Sequence, residues 1–228
     1  EYSRLLDGEG GELLALLPEE PATRGVSDPG AKKMEGGICF NEWLIQRGYL
    51  TLTSCPDTRT SIDKVGIDWA RTLAWGDGGY YGRLFLNIRG REPRGIIDPT
   101  DAEKVRSDLI AEIEAIEDPN GKNIGSRAYR PEMLYRECRG VPPDLIVYFG
   151  NLDWRSIGAV GMKTIHTFEN DTGPDDANHA QHGICILVDP RNGKSKWVEG
   201  LHLLDCAPTI LRLFGLPVPE DMCGKAML

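Results

Sequence analysis

The spacing of apolar residues along the chain predicts helices that alternate with strands. Apolar residues recur at helical spacing in four segments, residues 2–17, 41–50, 101–116 and 203–214. Short apolar runs predict strands at residues 82–88, 144–149 and 183–188, and the last two runs are continuous, as in strands covered by helices on both faces. This order of elements predicts an α/β fold with a mixed central sheet and flanking helices, in a single domain over residues 1–228.

Composition and charge argue against several classes of protein. The chain has 26 Lys and Arg against 35 Asp and Glu, a formal net charge of −9, which argues against a protein that coats nucleic acid or an anionic membrane. No stretch approaches the ~18 apolar residues of a membrane helix. The six cysteines include no CxxC pair, and Cys39, Cys185 and Cys206 lie in or beside apolar runs. This pattern predicts buried free thiols and a reducing, cytoplasmic location.

The densest polar cluster is ENDTGPDDANHAQHG, residues 169–183, directly before an apolar strand. Loops at strand edges are where open α/β sheets commonly hold ligands. His179 and His182 are three residues apart, so both would face a metal ion if this turn were helical. The same composition also fits a surface loop whose Asp and Asn side chains bond their own backbone, and the residues alone leave both interpretations open.

Other polar segments have simple interpretations from their residues alone. Asp28 lies in VSDPGA, which by itself indicates an Asp-Pro-Gly turn beside solvated lysines. The glycine-rich stretch at residues 76–82 lacks a following Gly-Lys-Ser or Gly-Lys-Thr, so it predicts a hairpin turn rather than a phosphate-binding loop. No serine lies in a GxSxG elbow, and the catalytic residues are therefore unknown from the sequence.

Five blocks of the chain follow one another in an order that is found in a known family. They are VSDPGAKKMEGGICFNEWLIQRGYL (26–50), GGYYGRLFLNIRGREPRGI (78–96), PDLIVYFGNLDWRSIG (143–158), ENDTGPDDANHAQHGICIL (169–187) and LDCAPTILRLFGLPVPEDMCG (204–224). In these blocks the chain resembles the C-terminal half of the type I phosphodiesterase/nucleotide pyrophosphatase family, within the alkaline phosphatase superfamily.

The resemblance implies both a fold and an activity. The fold would be an alkaline-phosphatase-like core that is incomplete at its N-terminal side. The activity would be hydrolysis of phosphoric esters, with nucleotide-like small molecules as substrates. The family uses two divalent metal ions, typically zinc with manganese as an alternative, because two close cations stabilise both the attacking and the leaving oxygen.

The family pattern also assigns roles to single residues. Asp28 matches the Asp of a metal-binding Ser-Asp-His-Gly turn, and His179, four residues before Gly183, matches a later metal-binding His. The resemblance therefore implies that Asp28 and His179 share one cleft. His182 adjoins that glycine, so its implied role is structural or outside the ligand set, and Asp175 or Asp176 would orient His179 by accepting its second ring N–H.

Two departures from the family pattern bear on activity. Pro29 stands where the family has His, so one metal ligand is replaced by a side chain with no donor atom. The family's nucleophile and several metal ligands would precede Glu1, so we expect the chain as given to be inactive, with a sheet edge that the missing half or an oligomer would cover. One alternative is a non-catalytic binding or scaffold module with the same fold. Another is a relative of cofactor-independent phosphoglycerate mutase, which shares the superfamily core.

Overall fold

The computed structural model describes residues 1–17, 22–169, 176–188 and 197–227. By their internal contacts they divide into two compact units, and each is described by itself. The smaller unit comprises residues 1–30 and 182–228, and the larger comprises residues 31–181. The single domain over residues 1–228 stays a prediction.

Helices and short strands alternate along the described chain. The helices are α1 (Tyr2–Ala15), α2 (Phe40–Gln46), α3 (Ala102–Glu114), α4 (Pro131–Leu134) and α5 (Cys206–Leu213). The first six strands are β1 (Thr23–Val26), β2 (Gly30–Lys33), β3 (Gly36–Cys39), β4 (Ala74–Asp77), β5 (Gly82–Leu86) and β6 (Arg127–Tyr129). The remaining strands are β7 (Leu145–Tyr148), β8 (Trp154–Ile157), β9 (His166–Thr167), β10 (Ala177–Ala180) and β11 (Cys185–Val188). The four helices predicted from apolar spacing are thereby confirmed, with ends shifted by a few residues.

The described strands form four small sheets in place of one central sheet. The largest runs β4-β5-β7-β6 and is antiparallel throughout. A second sheet, β8-β3-β9, is mixed, because β3 is parallel to β8 and antiparallel to β9. The other two sheets are the pairs β10-β2 and β1-β11. An α/β fold with mixed strand pairing and flanking helices is thus confirmed, but the described strands are divided among separate sheets and do not form one central sheet.

The hydrophobic core of the larger unit combines the four-stranded sheet with α2 and α3. Alternate residues of β5 face inward, as the two-residue period of a strand requires, and Leu84 and Leu86 are buried there. α3 buries Leu109 and Ile113, four residues apart on one helix face. The buried residues that join these elements include Phe40, Leu44, Leu145, Val147 and Phe149. This core fixes the β4–β5 hairpin that the candidate site uses.

The smaller unit leaves much apolar surface exposed. None of the residues of α1 is buried. The sequence predicts a covered strand at residues 183–188, but Cys185, Ile186 and Val188 of β11 are exposed, so that prediction is wrong. The physical reason is that burial needs elements packed on both faces of a strand, and among the described residues β11 pairs with β1 in a two-stranded sheet whose side chains stay open to solvent.

Burial of the cysteines matches the sequence prediction at one position. Cys39 is fully buried, and burial, with the nearby Glu42 carboxylate, raises the pKa of its thiol to about 11. Cys185 is exposed and Cys206 is half-buried, so the prediction of buried thiols at these two positions is wrong. Within the described residues, no helix combines the length and hydropathy that crossing a membrane requires.

Candidate functional site

The turn that carries Asp28 is fixed by the segment before β11. The Ser27 N–H donates to the Ile184 carbonyl at 3.0 Å, and the Ile184 N–H donates to the Ser27 hydroxyl at 3.1 Å. A Cβ atom at Gly183 would lie 2.1 Å from the Ser27 carbonyl oxygen, so only glycine allows this close approach. Asp28 itself is exposed, and its carboxylate is therefore presented to solvent from a well-anchored turn.

His179 lies on β10 in the larger unit and is half-buried. Its imidazole stacks on the Tyr80 ring, with the ring centroids 3.7 Å apart and the planes inclined by 19°. The guanidinium carbon of Arg155, a nearly fully buried residue of β8, lies 4.8 Å from the centre of the same Tyr80 ring. Tyr80 therefore links the histidine and the arginine, and Tyr80, Arg155 and His179 are called the tyrosine cluster below.

Tyr80 is positioned by the glycine-rich turn between β4 and β5. The Gly79 N–H donates to the Ser156 carbonyl at 2.8 Å, and the Ser156 N–H donates back to the Gly79 carbonyl at 3.0 Å. A Cβ atom at Gly78 would lie 2.4 Å from the Gly158 nitrogen, so the turn and β8 approach too closely for a larger residue. The prediction of a hairpin turn is confirmed, since β4 and β5 pair antiparallel up to Asp77 and Arg83.

A left-handed loop beside this cluster was missed by sequence reasoning. Gly150, Asn151 and Leu152 have φ values of 57°, 55° and 69°, and left-handed backbone costs a residue other than glycine roughly 1–2 kcal/mol. Two side chains hold the loop, because the Lys32 ammonium donates to the Asn151 carbonyl at 3.0 Å and the Asn178 amide donates to the Leu152 carbonyl at 2.7 Å. Lys32 also pairs with the Asp153 carboxylate at 2.5 Å. Asn178 directly precedes His179 on β10, so the strand that carries the candidate ligand also holds this loop through the Asn178 hydrogen bond.

Among the remaining predicted site residues, some are described without a contact to this cluster and one lies outside the described residues. His182 is exposed and belongs to the smaller unit, whereas His179 belongs to the larger. The helical turn that would bring both histidines to one metal ion is absent from residues 176–188, where His179 lies on a strand. The Asp176 carbonyl accepts the Met34 N–H at 2.8 Å. Asp175 lies outside the described residues, so the role of either Asp in orienting His179 stays a prediction.

The donor atoms of the described residues do not form a site for a divalent metal ion. Within the described ranges, no group of three or more His, Cys, Asp or Glu side chains is arranged to hold an ion. Asp28 and His179 lie in different units, so the cleft that they would share also stays a prediction. Closed zinc sites need four ligands and open catalytic ones need three. The donors of the described residues do not meet that requirement.

Comparison with known proteins gives one partial match. No family model matches the chain, and no solved structure matches it. A segment of 81 residues is 32% identical to 2,3-bisphosphoglycerate-independent phosphoglycerate mutase 1 of Methanosarcina acetivorans. The match covers 32% of this chain and 15% of the mutase. This match gives distant support for a relationship to the alkaline phosphatase superfamily. The family that the five sequence blocks resemble belongs to the same superfamily.

Proposed function

We propose that the protein acts on phosphoric esters as a member of the alkaline phosphatase superfamily, with hydrolysis of phosphodiester or pyrophosphate bonds as its specific activity. The match to a phosphoglycerate mutase, whose name describes an enzyme of phosphate ester chemistry, supports the superfamily part of this proposal. The block at residues 78–96 supports the phosphodiesterase branch, and the five blocks together follow the order of that family. The proposal concerns the protein encoded by the complete reading frame.

The tyrosine cluster supports binding of an anion. The cation of Arg155 lies 4.8 Å from the Tyr80 ring centre, and the His179 ring stacks on that ring. Arginine is suited to phosphate because its charge is permanent and its donors form a planar fork. Arg155 is buried and would not contact the ester directly, whereas the side chains of exposed Tyr80 and half-buried His179 would.

Asp28 and His179 are the proposed metal ligands of this chain, as the family resemblance implies. A carboxylate oxygen and an imidazole nitrogen are both ligands that zinc accepts. Two such ligands bind more weakly than a closed set of four, so the proposed activity would depend on further ligands in the complete protein. Zinc, with manganese as the alternative, remains the proposed ion, and a nucleotide-like phosphoric ester remains the proposed substrate.

The test is hydrolysis of bis(p-nitrophenyl) phosphate by the complete protein with added Zn²⁺ or Mn²⁺. His179→Ala should abolish metal-dependent hydrolysis, whereas the matched variant His182→Ala should keep most of it. Both histidines lie in the same short segment, so circular dichroism of the two variants checks that each remains folded. The absence of hydrolysis by the complete protein would contradict the proposed activity. The reverse ranking of the two variants would show that His179 is not the ligand.

A second candidate function is a non-catalytic binding or scaffold module. It is favoured by Pro29, which places a side chain without a donor atom directly after Asp28. Metal content after purification distinguishes the two functions. If further ligands complete the site, the complete protein should retain zinc or manganese through purification. A scaffold module should carry neither, and it should show no increase in thermal stability when either ion is added.

A further inference from the structure

The guanidinium of Arg24, on β1, contacts the sulfur atoms of two cysteines in the smaller unit. Its Nη2 atom lies 2.7 Å from the Cys206 sulfur and 3.8 Å from the Cys185 sulfur. Its Nη1 atom donates to the Cys206 carbonyl at 2.9 Å. Both sulfurs therefore neighbour the same nitrogen atom, although Cys185 is on β11 and Cys206 begins α5.

The contacts of Arg24 differ from those of an ordinary paired arginine. The partners that the described residues give its two terminal nitrogens are the two sulfurs and the Cys206 carbonyl. Its Nε atom is buried and has no hydrogen-bond partner within the part of the chain that the structure describes. The guanidinium therefore contacts both thiols and the Cys206 carbonyl at once.

Solvent reaches this pair, in contrast to the thiol of the core. Cys185 is exposed and Cys206 is half-buried, whereas Cys39 is fully buried. Burial raises the pKa of Cys39 to about 11, so that thiol stays protonated and unreactive at neutral pH. A small dissolved oxidant would therefore meet Cys185 first and find Cys206 beside it.

We infer that Cys185 and Cys206 form an oxidation site, which closes to an intramolecular disulfide when the protein meets hydrogen peroxide. In the first step the Cys185 sulfur attacks one peroxide oxygen, and the O–O bond breaks. The sulfur is oxidised to a sulfenic acid, and the other oxygen leaves as water with the thiol proton. In the second step the Cys206 sulfur attacks the sulfenic sulfur, the S–OH bond breaks, and a second water leaves with the Cys206 proton. Overall, two thiols lose two electrons and two protons, and peroxide is reduced to two waters.

The test is disulfide mapping of the whole protein by mass spectrometry without reduction. The protein is treated with mild hydrogen peroxide at low concentration, which suppresses links between molecules, and free thiols are then blocked by alkylation. The predominant linked peptide should join Cys185 to Cys206. A spread of links over all six cysteines without preference for this pair would overturn the inference.

Three variants sharpen this test. Cys185→Ser should lose the linked peptide, whereas Cys223→Ser, which removes another exposed thiol, should leave its yield unchanged. Arg24→Gln should reduce the yield by more than half, because the two sulfurs lose their shared contact. An unchanged yield in folded Arg24→Gln would refute the role of Arg24. The wild-type map needs no variant, so it decides the pairing even if Arg24→Gln fails to fold.

Discussion

The imidazole of His179 stacks on the ring of Tyr80, with 3.7 Å between the ring centroids and 19° between the planes. Tyr80 lies in a hairpin turn, and the turn is anchored on β8 through the hydrogen bonds between Gly79 and Ser156. The orientation of the candidate ligand is thus set by an element far from it in sequence. Substitution of Tyr80 should therefore change both the stability of the larger unit and the proposed activity.

Tyr80→Ala should destabilise the larger unit and reduce phosphoric ester hydrolysis by the complete protein. Stacked aromatic pairs are worth ~0.5–1.5 kcal/mol beyond burial, so urea unfolding should show a loss of about 1–2 kcal/mol. Tyr80→Phe keeps the ring and should lose less than ~0.5 kcal/mol by the same reasoning. Tyr81→Ala is the matched control, because Tyr81 is similarly exposed in the same turn and its ring contact is with Tyr148. Equal loss of hydrolysis in Tyr80→Ala and Tyr81→Ala would contradict a specific role for the Tyr80 stack.

Pro29→His should raise the affinity of the protein for zinc. The substitution adds an imidazole donor next to Asp28, in a turn that Ser27 and Ile184 already anchor. Pro29→Ala is the control, since it removes the constraint of the proline ring without adding a donor. Calorimetric zinc titration of the wild type and the two variants measures the effect. If Pro29→His binds zinc no better than Pro29→Ala, the Asp28 turn is not positioned as a metal site.

The parts of the fold that the sequence predicts are those set by local pattern. α3 follows from apolar residues at helical spacing, and Leu109 and Ile113 are indeed its buried face. The β4–β5 hairpin follows from its glycine-rich turn. By contrast, β11 has an apolar sequence typical of a buried strand but is exposed, because burial depends on which elements pack against it.

In the candidate site, too, the sequence predicts single residues but not the contacts between residues that are distant in the chain. The sequence singles out Asp28 and His179 through a family resemblance, but nothing local reveals that Tyr80 packs against His179. Likewise, the contact between Gly183 and Ser27 joins residues distant in the chain, and it depends on the pairing of β1 with β11. The contact of Arg24 with Cys185 also depends on that pairing, while its contact with Cys206 joins β1 to the start of α5, and no spacing rule predicts either.

Stability should fall as pH rises from about 9 to about 11, in part because of Cys39. Burial raises the pKa of this thiol from 9.0 to about 11, so in this window the unfolded chain releases a proton that the native state keeps. The contribution of Cys39 to the free energy of unfolding is therefore full below pH 9, and it is lost as the pH rises from 9 to about 11. Each pH unit is worth ~1.4 kcal/mol, so the loss is at most about 2–3 kcal/mol.

The variant Cys39→Ala isolates this contribution. Tyr49 also has a raised pKa, of about 12, through burial and its hydrogen bond to Glu112, and it adds its own decline at higher pH. The useful quantity is thus the difference in unfolding free energy between wild type and Cys39→Ala, measured by urea at about pH 8 and about pH 10.5. The difference should shrink at the higher pH, because the variant lacks the titrating thiol. Parallel pH dependences would show that Cys39 does not titrate in this way.

Two Gly→Ala substitutions should change stability in opposite directions. A Cβ atom at Gly78 would lie 2.4 Å from the Gly158 nitrogen and 2.7 Å from the Ser156 carbonyl oxygen. Both contacts are with backbone that cannot rotate away, so Gly78→Ala should cost about 1–3 kcal/mol. A Cβ atom at Gly10 within α1 would meet nothing within 4 Å, so Gly10→Ala should gain up to ~1 kcal/mol of helix stability.

The Gly78 substitution also tests how the tyrosine cluster is held. Forcing the turn away from β8 should displace Tyr80 and with it the His179 ring, because the Gly79 and Ser156 hydrogen bonds would be strained. Gly78→Ala should therefore lose hydrolysis of bis(p-nitrophenyl) phosphate at temperatures where it is still folded, whereas Gly10→Ala should keep wild-type activity. Circular dichroism melts give the folded fraction at the assay temperature. If folded Gly78→Ala retained full activity, the close approach of this turn to β8 would matter for stability alone, and the positioning of His179 through Tyr80 would not be needed for catalysis.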